Sequence, residues 1–306
     1  LKDNNRVGVH IATRNRPGYL GGLLSSLYIQ TFKNFDVIIV DDYSQMPITS
    51  DKYCMDWIVK LRNEGHMVKT IRNPCRLMIG KSRNIAIDND PNELCCRIDD
   101  DSFCEPDYLF KLQALITGKV HKISSKIPLE KDQEFIKKNN AKIGAVGGLV
   151  PYLARPRYYR YTKDLTKFET IKVDADGKFL PRTSQDANPT DRGHFSWYPD
   201  VVLESDHLRS SFMFRKQAAI DAGLHAEEYG STGFREETDF CIRIKHAGYK
   251  LYADTSALCW HLLAAGGGER DHAGRSYQEM VKLNQEHFDK KMIPYLKELN
   301  TKNELG

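Results

Sequence analysis

The run CRIDDDSFCEPDYL, residues 96–109, sets three consecutive carboxylates, Asp99, Asp100 and Asp101, behind an apolar stretch at 94–98. If that stretch is a strand, alternation puts Asp99 and Asp101 on one side and Asp100 on the other. Two carboxylates then converge at a strand end, where open α/β sheets bind their ligands. Left alone they repel. A hard divalent cation removes the repulsion and in turn attracts a diphosphate. The same residues also suit an acidic turn capping a helix that begins near Asp107. A second acidic group, Glu236, Glu237 and Asp239, surrounds Thr238 where another helical pattern opens. It offers a general base for a hydroxyl, or simply negative charge where the helix dipole favours it.

The elements that must position these acids alternate through the first half. Residues 7–12 and 67–71 read as strands, and 36–40 (DVIIV) as a strand buried on both faces. Leu20, Leu23, Leu24 and Leu27 recur at helical spacing; 51–64, 80–88 and 108–116 are further helices. This order predicts an open, mostly parallel α/β sheet with right-handed crossovers. The segments HIATRNRPGYL, VIIVDDYS, RLMIGKSRNIAI and RIDDDS each fall at a strand end or a helix opening, and would line one crevice. Pro17-Gly18 stands where a dinucleotide fingerprint or P-loop would need other glycine spacing.

The second half is less regular. Residues 119–142 are polar and Lys-rich, a flexible excursion or solvated helix. Residues 145–152 read as a strand with a glycine break, 155–163 mix basic residues with Tyr158, Tyr159 and Tyr161, and 171–180 suggest a hairpin around Asp176-Gly177. A strand at 210–214, helices at 216–222 and 238–247 with Gly248 as C-cap, and short strands at 251–253 and 257–260 follow. Residues 276–299 form an amphipathic terminal helix, or a pair divided near Pro294.

Composition bounds the reading. The chain has 306 residues, 41% of them apolar, enough for a substantial core. No stretch approaches the roughly 18 apolar residues of a membrane span. The opening LKDNNRVGVH lacks a signal-peptide pattern and an initiator Met, so the expectation is a processed or excised piece. A net charge of +4 is too mild to argue for nucleic acid by itself. Seven cysteines, an odd number without a C-x-x-C pair, argue against structural zinc and for a reducing, cytoplasmic compartment.

Taken in order, VGVHIATRNRPGYLGGLLSSLYIQTFKNFDVIIVDDYS, GKSRNIAI and RIDDDS resemble a glycosyltransferase of the GT-A fold, family-2 type. The resemblance resumes at 211–261, through FMFRKQAAIDAG, GSTGFREETDF, HAGYKL and the closing Trp260-His261. Its specificity lies in the ordered set, since D-x-D alone is common. It implies a GT-A, Rossmann-like sheet flanked by helices with a smaller mixed acceptor-side sheet. Residues 1–117 would be the nucleotide-sugar-binding half, 118–272 the acceptor-binding and catalytic half, and 273–306 a helical tail.

The resemblance also assigns roles. Thr13, Asn15, Arg16 and Asp42 would cradle the nucleotide base, Asp42 accepting from a uracil N–H. Arg83 and Asn84 would support the nucleotide. Asp99 would meet the ribose or the metal, Asp101 the metal directly, and Asp100 the donor sugar. His261 would be a third metal ligand for Mn²⁺ or Mg²⁺. Glu237 stands at the usual base position, but the family usually carries Glu-Asp where this chain has Glu-Glu, so Glu236 and Asp239 remain candidates. The resemblance thus implies transfer of a sugar from a UDP-sugar to a hydroxyl of a glycan or other acceptor, with inversion. Each residue also has a plainer reading: Asp41-Asp42 as a polar strand end, Arg83 and Asn84 as helix surface, His261 as a core histidine. The glycine-rich run from Gly266 reads as a lid over the donor or a plain linker. Trp197, Tyr198 and 155–163 read as acceptor stacking or ordinary packing. The rival functions are a nucleotidyltransferase, a non-catalytic carbohydrate-binding module, and a transferase acting on nucleic acid.

Overall fold

The computed structural model describes residues 5–119, 136, 138–150, 202–205, 207–230, 232–268 and 276–304. The expectations for 155–163, the hairpin at 171–180, Trp197 and Tyr198 lie outside the described residues, as does most of the Lys-rich excursion.

Strands β1 (Val7–Thr13), β2 (Phe35–Asp41), β3 (Val68–Arg72) and β4 (Leu94–Arg97) pair in parallel in the order β3-β2-β1-β4. Helices α1 (Pro17–Tyr28), α2 (Lys52–Asn63) and α3 (Met78–Asp88) connect them. All seven residues of β2 are buried, the physical reason for its unbroken apolar run. Leu20, Leu23, Leu24 and Leu27 of α1 are fully buried, as their spacing requires. The chain steps from β1 outward to β2 and β3, then returns to place β4 on the other flank of β1. That reversal opens a crevice at the carboxyl ends of β1 and β4.

The sheet then continues. β8 (Phe212–Arg215) pairs antiparallel with β4 and with β6 (Ile143–Leu149). β6 runs parallel to β9 (Lys250–His261), which also pairs with β5 (Ser102–Cys104) and β7 (Val202–Glu204). The mixed portion expected as a separate smaller sheet is therefore part of one nine-stranded sheet. Helices α4 (Tyr108–Ile116), α5 (Lys216–Asp221), α6 (Glu236–His246) and α7 (Tyr277–Glu304) complete the described elements.

Two expectations about the C-terminal part are corrected. The strands expected at 251–253 and 257–260 are one strand, β9. The polar break between them is a bulge in which the Asp254 carboxylate accepts from the Ser256 N–H at 2.9 Å and hydroxyl at 2.7 Å. The terminal helix is not divided at Pro294, which lies inside α7. A mid-helix proline forfeits a hydrogen bond and costs about 3 kcal/mol. Burial of Phe288, Met292 and Leu296 against Ile242, Tyr229 and Ala226 spans that point and offsets it.

Candidate active site

β4 stops at Arg97, one residue short of its expected end, and Asp99–Asp101 form a reverse turn closed by the Ser102 N–H donating to the Asp99 carbonyl at 3.1 Å. The turn delivers the chain into β5, whose Ser102 lies opposite His261 at the end of β9. His261 Nε2 is 3.4 Å from Asp101 Oδ1 and 3.6 Å from Asp99 Oδ2. One ligand atom from each of Asp99, Asp101 and His261 lies within 4.8 Å of the others, a hard, mixed oxygen–nitrogen set that suits Mn²⁺ or Mg²⁺. Enclosure would lower the His261 pKa, but the two carboxylates outweigh it and raise it.

Asp100 turns the other way. Thr13 Oγ1 donates to its Oδ2 at 2.7 Å and Arg16 Nη1 to its Oδ1 at 2.8 Å. Burial pushes the Asp100 carboxyl up to about 6, with Arg16 opposing and Asp101 adding to the rise. Asp99 is held by Arg83, whose Nη2 donates to Oδ1 at 2.8 Å. Enclosure would raise the Asp99 pKa, yet His261, Arg83 and Arg97 hold it below the usual carboxylate range.

Asp42, just past β2, accepts three hydrogen bonds: from Asn73 Nδ2 at 2.8 Å and Leu77 N–H at 2.7 Å on Oδ1, and from Met78 N–H at 3.0 Å on Oδ2. Asn15, at φ +53°, staples the first loop to the second: its N–H donates to Ser44 Oγ at 2.9 Å and its Oδ1 accepts from Gln45 N–H at 2.7 Å. Arg83 and Asn84 are buried rather than on a helix surface. Asn84 bonds the backbone of His225 through both its Nδ2 and Oδ1, at 2.9 Å each, which fixes the loop leading to α6.

The two glutamates at the start of α6 differ sharply. Glu236 is completely buried and ion-paired with Arg83; Arg97 Nη1 donates to it at 3.0 Å and His225 Nδ1 lies at 2.6 Å. Burial would raise its pKa, but Arg83, Arg97 and His225 hold it well below the carboxylate range. Burial pushes His225 down to about 3 despite Glu236, so its neutral ring donates from Nδ1. Glu237 has none of these bonds and lines the cavity, where burial, with Glu236 and Asp99 adding, raises its carboxyl above the ordinary value. Asp239 is completely buried, accepting from Tyr229 Oη at 2.9 Å and Arg243 Nε at 2.5 Å, with Lys291 Nζ of α7 at 2.9 Å.

A cavity of about 360 Å³ brings many of the sequence candidates together. Thr13, Arg16, Asp42 and Arg83 line it, with Asp99, Asp100, Asp101, Glu237 and His261. Asn15, Glu236 and Asp239 are not brought to it. Sequence reasoning missed Arg97, His207 and Arg209, which also line it. Burial lowers the Arg209 pKa to about 10, although Glu237 and Asp99 favour its charge. Arg97 is a charged residue inside an apolar strand, a signal that could have been read; Arg209 sits in DHLRSS with no comparable signal.

A parallel half-sheet with a carboxylate turn at its switch point, continued by a mixed half, is the GT-A arrangement of glycosyltransferases. The family described as glycosyl transferase family 2 matches residues 8–184, and the chain belongs to that family. Three solved structures are similar in fold. TarS 1–349 of S. aureus, in complex with UDP-GlcNAc, is 17% identical at a TM-score of 0.54, covering 91% of this chain and 65% of that one. GalNAc-T7 with UDP, GalNAc and Mn²⁺ is 13% identical at 0.56, covering 94% and 48%. The mannosyltransferase PcManGT from Pyrobaculum calidifontis, with GDP-Man and Mn²⁺, is 14% identical at 0.52, covering 95% and 72%. The chain thus spans less than two thirds of the first two. No curated protein matches at the sequence level. Among the described residues, no helix is long and apolar enough to cross a membrane.

Proposed function

We propose that this glycosyltransferase moves a sugar from a UDP-sugar to an acceptor hydroxyl by a single inverting displacement that requires a divalent metal. The observation that carries the reading is one cavity holding the Asp99–Asp101–His261 cluster together with a single uncommitted glutamate, Glu237. Asp99, Asp101 and His261 would hold Mn²⁺ or Mg²⁺, which when bound supplies positive charge beside the leaving diphosphate. Arg209 adds a fixed cation on the same wall.

Glu237 takes the proton of the acceptor hydroxyl as the sugar carbon–phosphate oxygen bond breaks and the nucleotide leaves with that bonding pair. Its raised pKa suits a base working near neutrality. Glu236, saturated by two guanidinium groups and an imidazole, has no capacity for that proton and instead anchors Arg83 and Arg97. Asp239 ties α6 to α7. A carboxylate offers about four acceptor positions. Asp42 uses three, so Oδ2 retains one for the uracil N–H. The UDP held by TarS and GalNAc-T7 supports this donor; the GDP-Man of PcManGT is the competing choice. In this reading 1–117 bind the donor, 118–272 the acceptor and 273–306 brace α6. The cytoplasmic placement rests on cysteine usage alone.

The test is a panel of UDP-, GDP- and ADP-sugars with Mn²⁺, scored for nucleotide release and, by NMR, for the configuration of the transferred sugar. The reading expects a UDP-sugar and inversion. Retained configuration, or a covalent glycosyl-enzyme, overturns the mechanism.

A further inference from the structure

We propose that Arg16 is a positioning residue that straps the glycine segment 266–268 to the aspartate turn and so holds His261 in place opposite Asp99 and Asp101. This rests on the metal reading above. The resemblance assigned Arg16 to the nucleotide base; its geometry directs it elsewhere. Nε donates to the Gly266 carbonyl at 2.8 Å, Nη2 to the Gly267 carbonyl at 3.1 Å, and Nη1 to Asp100 Oδ1 at 2.8 Å, with Asp101 Oδ2 at 3.6 Å. Every guanidinium nitrogen is thereby engaged, and the side chain is 10% exposed. A planar fork can span three acceptors on two segments in a way an ammonium cannot.

The chain leaving His261 is fastened at both ends of this stretch. Leu262 N–H donates to the Asp101 carbonyl and Ala264 N–H to Asp101 Oδ2, each at 2.8 Å. Gly268 N–H donates to the Arg14 carbonyl at 2.8 Å. The glycines are a requirement of this contact. Gly267 has φ +68°, and a Cβ there would lie 2.8 Å from the Asn15 carbonyl oxygen and 2.9 Å from that of Arg14. The strap therefore sits as close to the first loop as backbone allows.

Two consequences follow for the ligand cluster. Arg16, with Thr13, occupies both oxygens of Asp100, which keeps that carboxylate out of the cluster and leaves Asp99 and Asp101 facing His261. The strap also fixes the exit of His261, so its imidazole stays beside the two carboxylates without needing an ion to organise it. Groups that orient metal ligands typically contribute about 10–100-fold to metal affinity.

The test uses the full chain and two variants that break the strap from opposite sides. Arg16→Ala removes the fork; Gly267→Ala removes no charge and no ligand but forces the segment off the first loop. Mn²⁺ binding to nucleotide-free protein is read from the electron paramagnetic resonance of the free ion. Both variants should bind Mn²⁺ about 10–100-fold more weakly. Hydrogen exchange in metal-free protein should accelerate across 262–268 in both. If Arg16 instead contacts the base, Arg16→Ala weakens UDP binding at unchanged Mn²⁺ affinity and Gly267→Ala is silent; that result overturns the proposal. Unchanged exchange in both variants overturns the strap even if Mn²⁺ binds. Failure of the wild type to bind Mn²⁺ overturns the metal reading and the strap's role in it together, and is distinguished by being independent of either variant.

Discussion

Glu236 and Glu237 are adjacent in sequence, yet replacing each by Gln should produce opposite phenotypes. Glu236 is completely buried among Arg83, Arg97 and His225. Glu236→Gln keeps the shape but removes the charge that compensates two buried guanidinium groups. Breaking a buried ion pair from one side typically costs about 3–5 kcal/mol. Against a total stability on the order of 5–15 kcal/mol this is a large fraction. For a chain of this size it corresponds to a Tm lower by on the order of 10 °C. Glu237→Gln leaves no buried cation unpaired, so stability should change by less than about 1 kcal/mol, while transfer falls about 10²–10⁴-fold through loss of the base. Thermal and urea unfolding by circular dichroism, with transfer measured on the same samples, reads both. A Glu236→Gln protein of wild-type stability, or a Glu237→Gln protein that transfers normally, refutes the assignment.

Three further outcomes are expected. The Glu237 carboxyl is raised above its ordinary 4.5 and the base works only deprotonated, so transfer should fall with acidification along a limb whose midpoint lies above 4.5; a pH–rate profile checks this, and Glu237→Gln should abolish the limb. Stability should also fall with acid. His225 drops from 6.5 to about 3 on folding, so as pH falls through 6.5 the unfolded chain takes up a proton the folded one refuses. Glu236, depressed on folding, adds the same sign below 4.5. Urea midpoints at pH 7.5 and pH 5 should differ by an amount equivalent to on the order of 2 kcal/mol. Asp42→Ala should narrow the difference in calorimetric affinity between UDP and GDP, and should destabilise the turn at Leu77–Met78, whose N–H groups it now satisfies.

The parallel half of the sheet was legible because buried parallel strands must be continuously apolar, as in residues 36–40, and because Leu20 to Leu27 keep one helical stripe. The aspartate turn was legible for a partly different reason from the one that operates. Pleat alternation predicted Asp99 and Asp101 together and Asp100 apart, whereas β4 ends at Arg97 and a reverse turn produces the same division. β5 is too short to carry a period, and β9 was split because Asp254–Ser256 looks like a loop while behaving as a bulge. The difference between Glu236 and Glu237 was not legible. It depends on Arg97 and His225, which lie more than a hundred and about ten residues away in sequence and meet Glu236 only after folding. Arg16 carried a similar ambiguity, since its partners Gly266 and Gly267 lie 250 and 251 residues further along.

The measurement that tests the central claim most directly is UDP release from a UDP-sugar by purified protein in Mn²⁺, repeated in excess chelator and with Asp101→Asn. The amide of that variant can still accept from the Ala264 N–H, so the turn is retained while a charged ligand is lost. The account predicts that release stops in chelator, returns on adding Mn²⁺, and is lost in Asp101→Asn. Undiminished release in chelator, or normal turnover by Asp101→Asn, contradicts it.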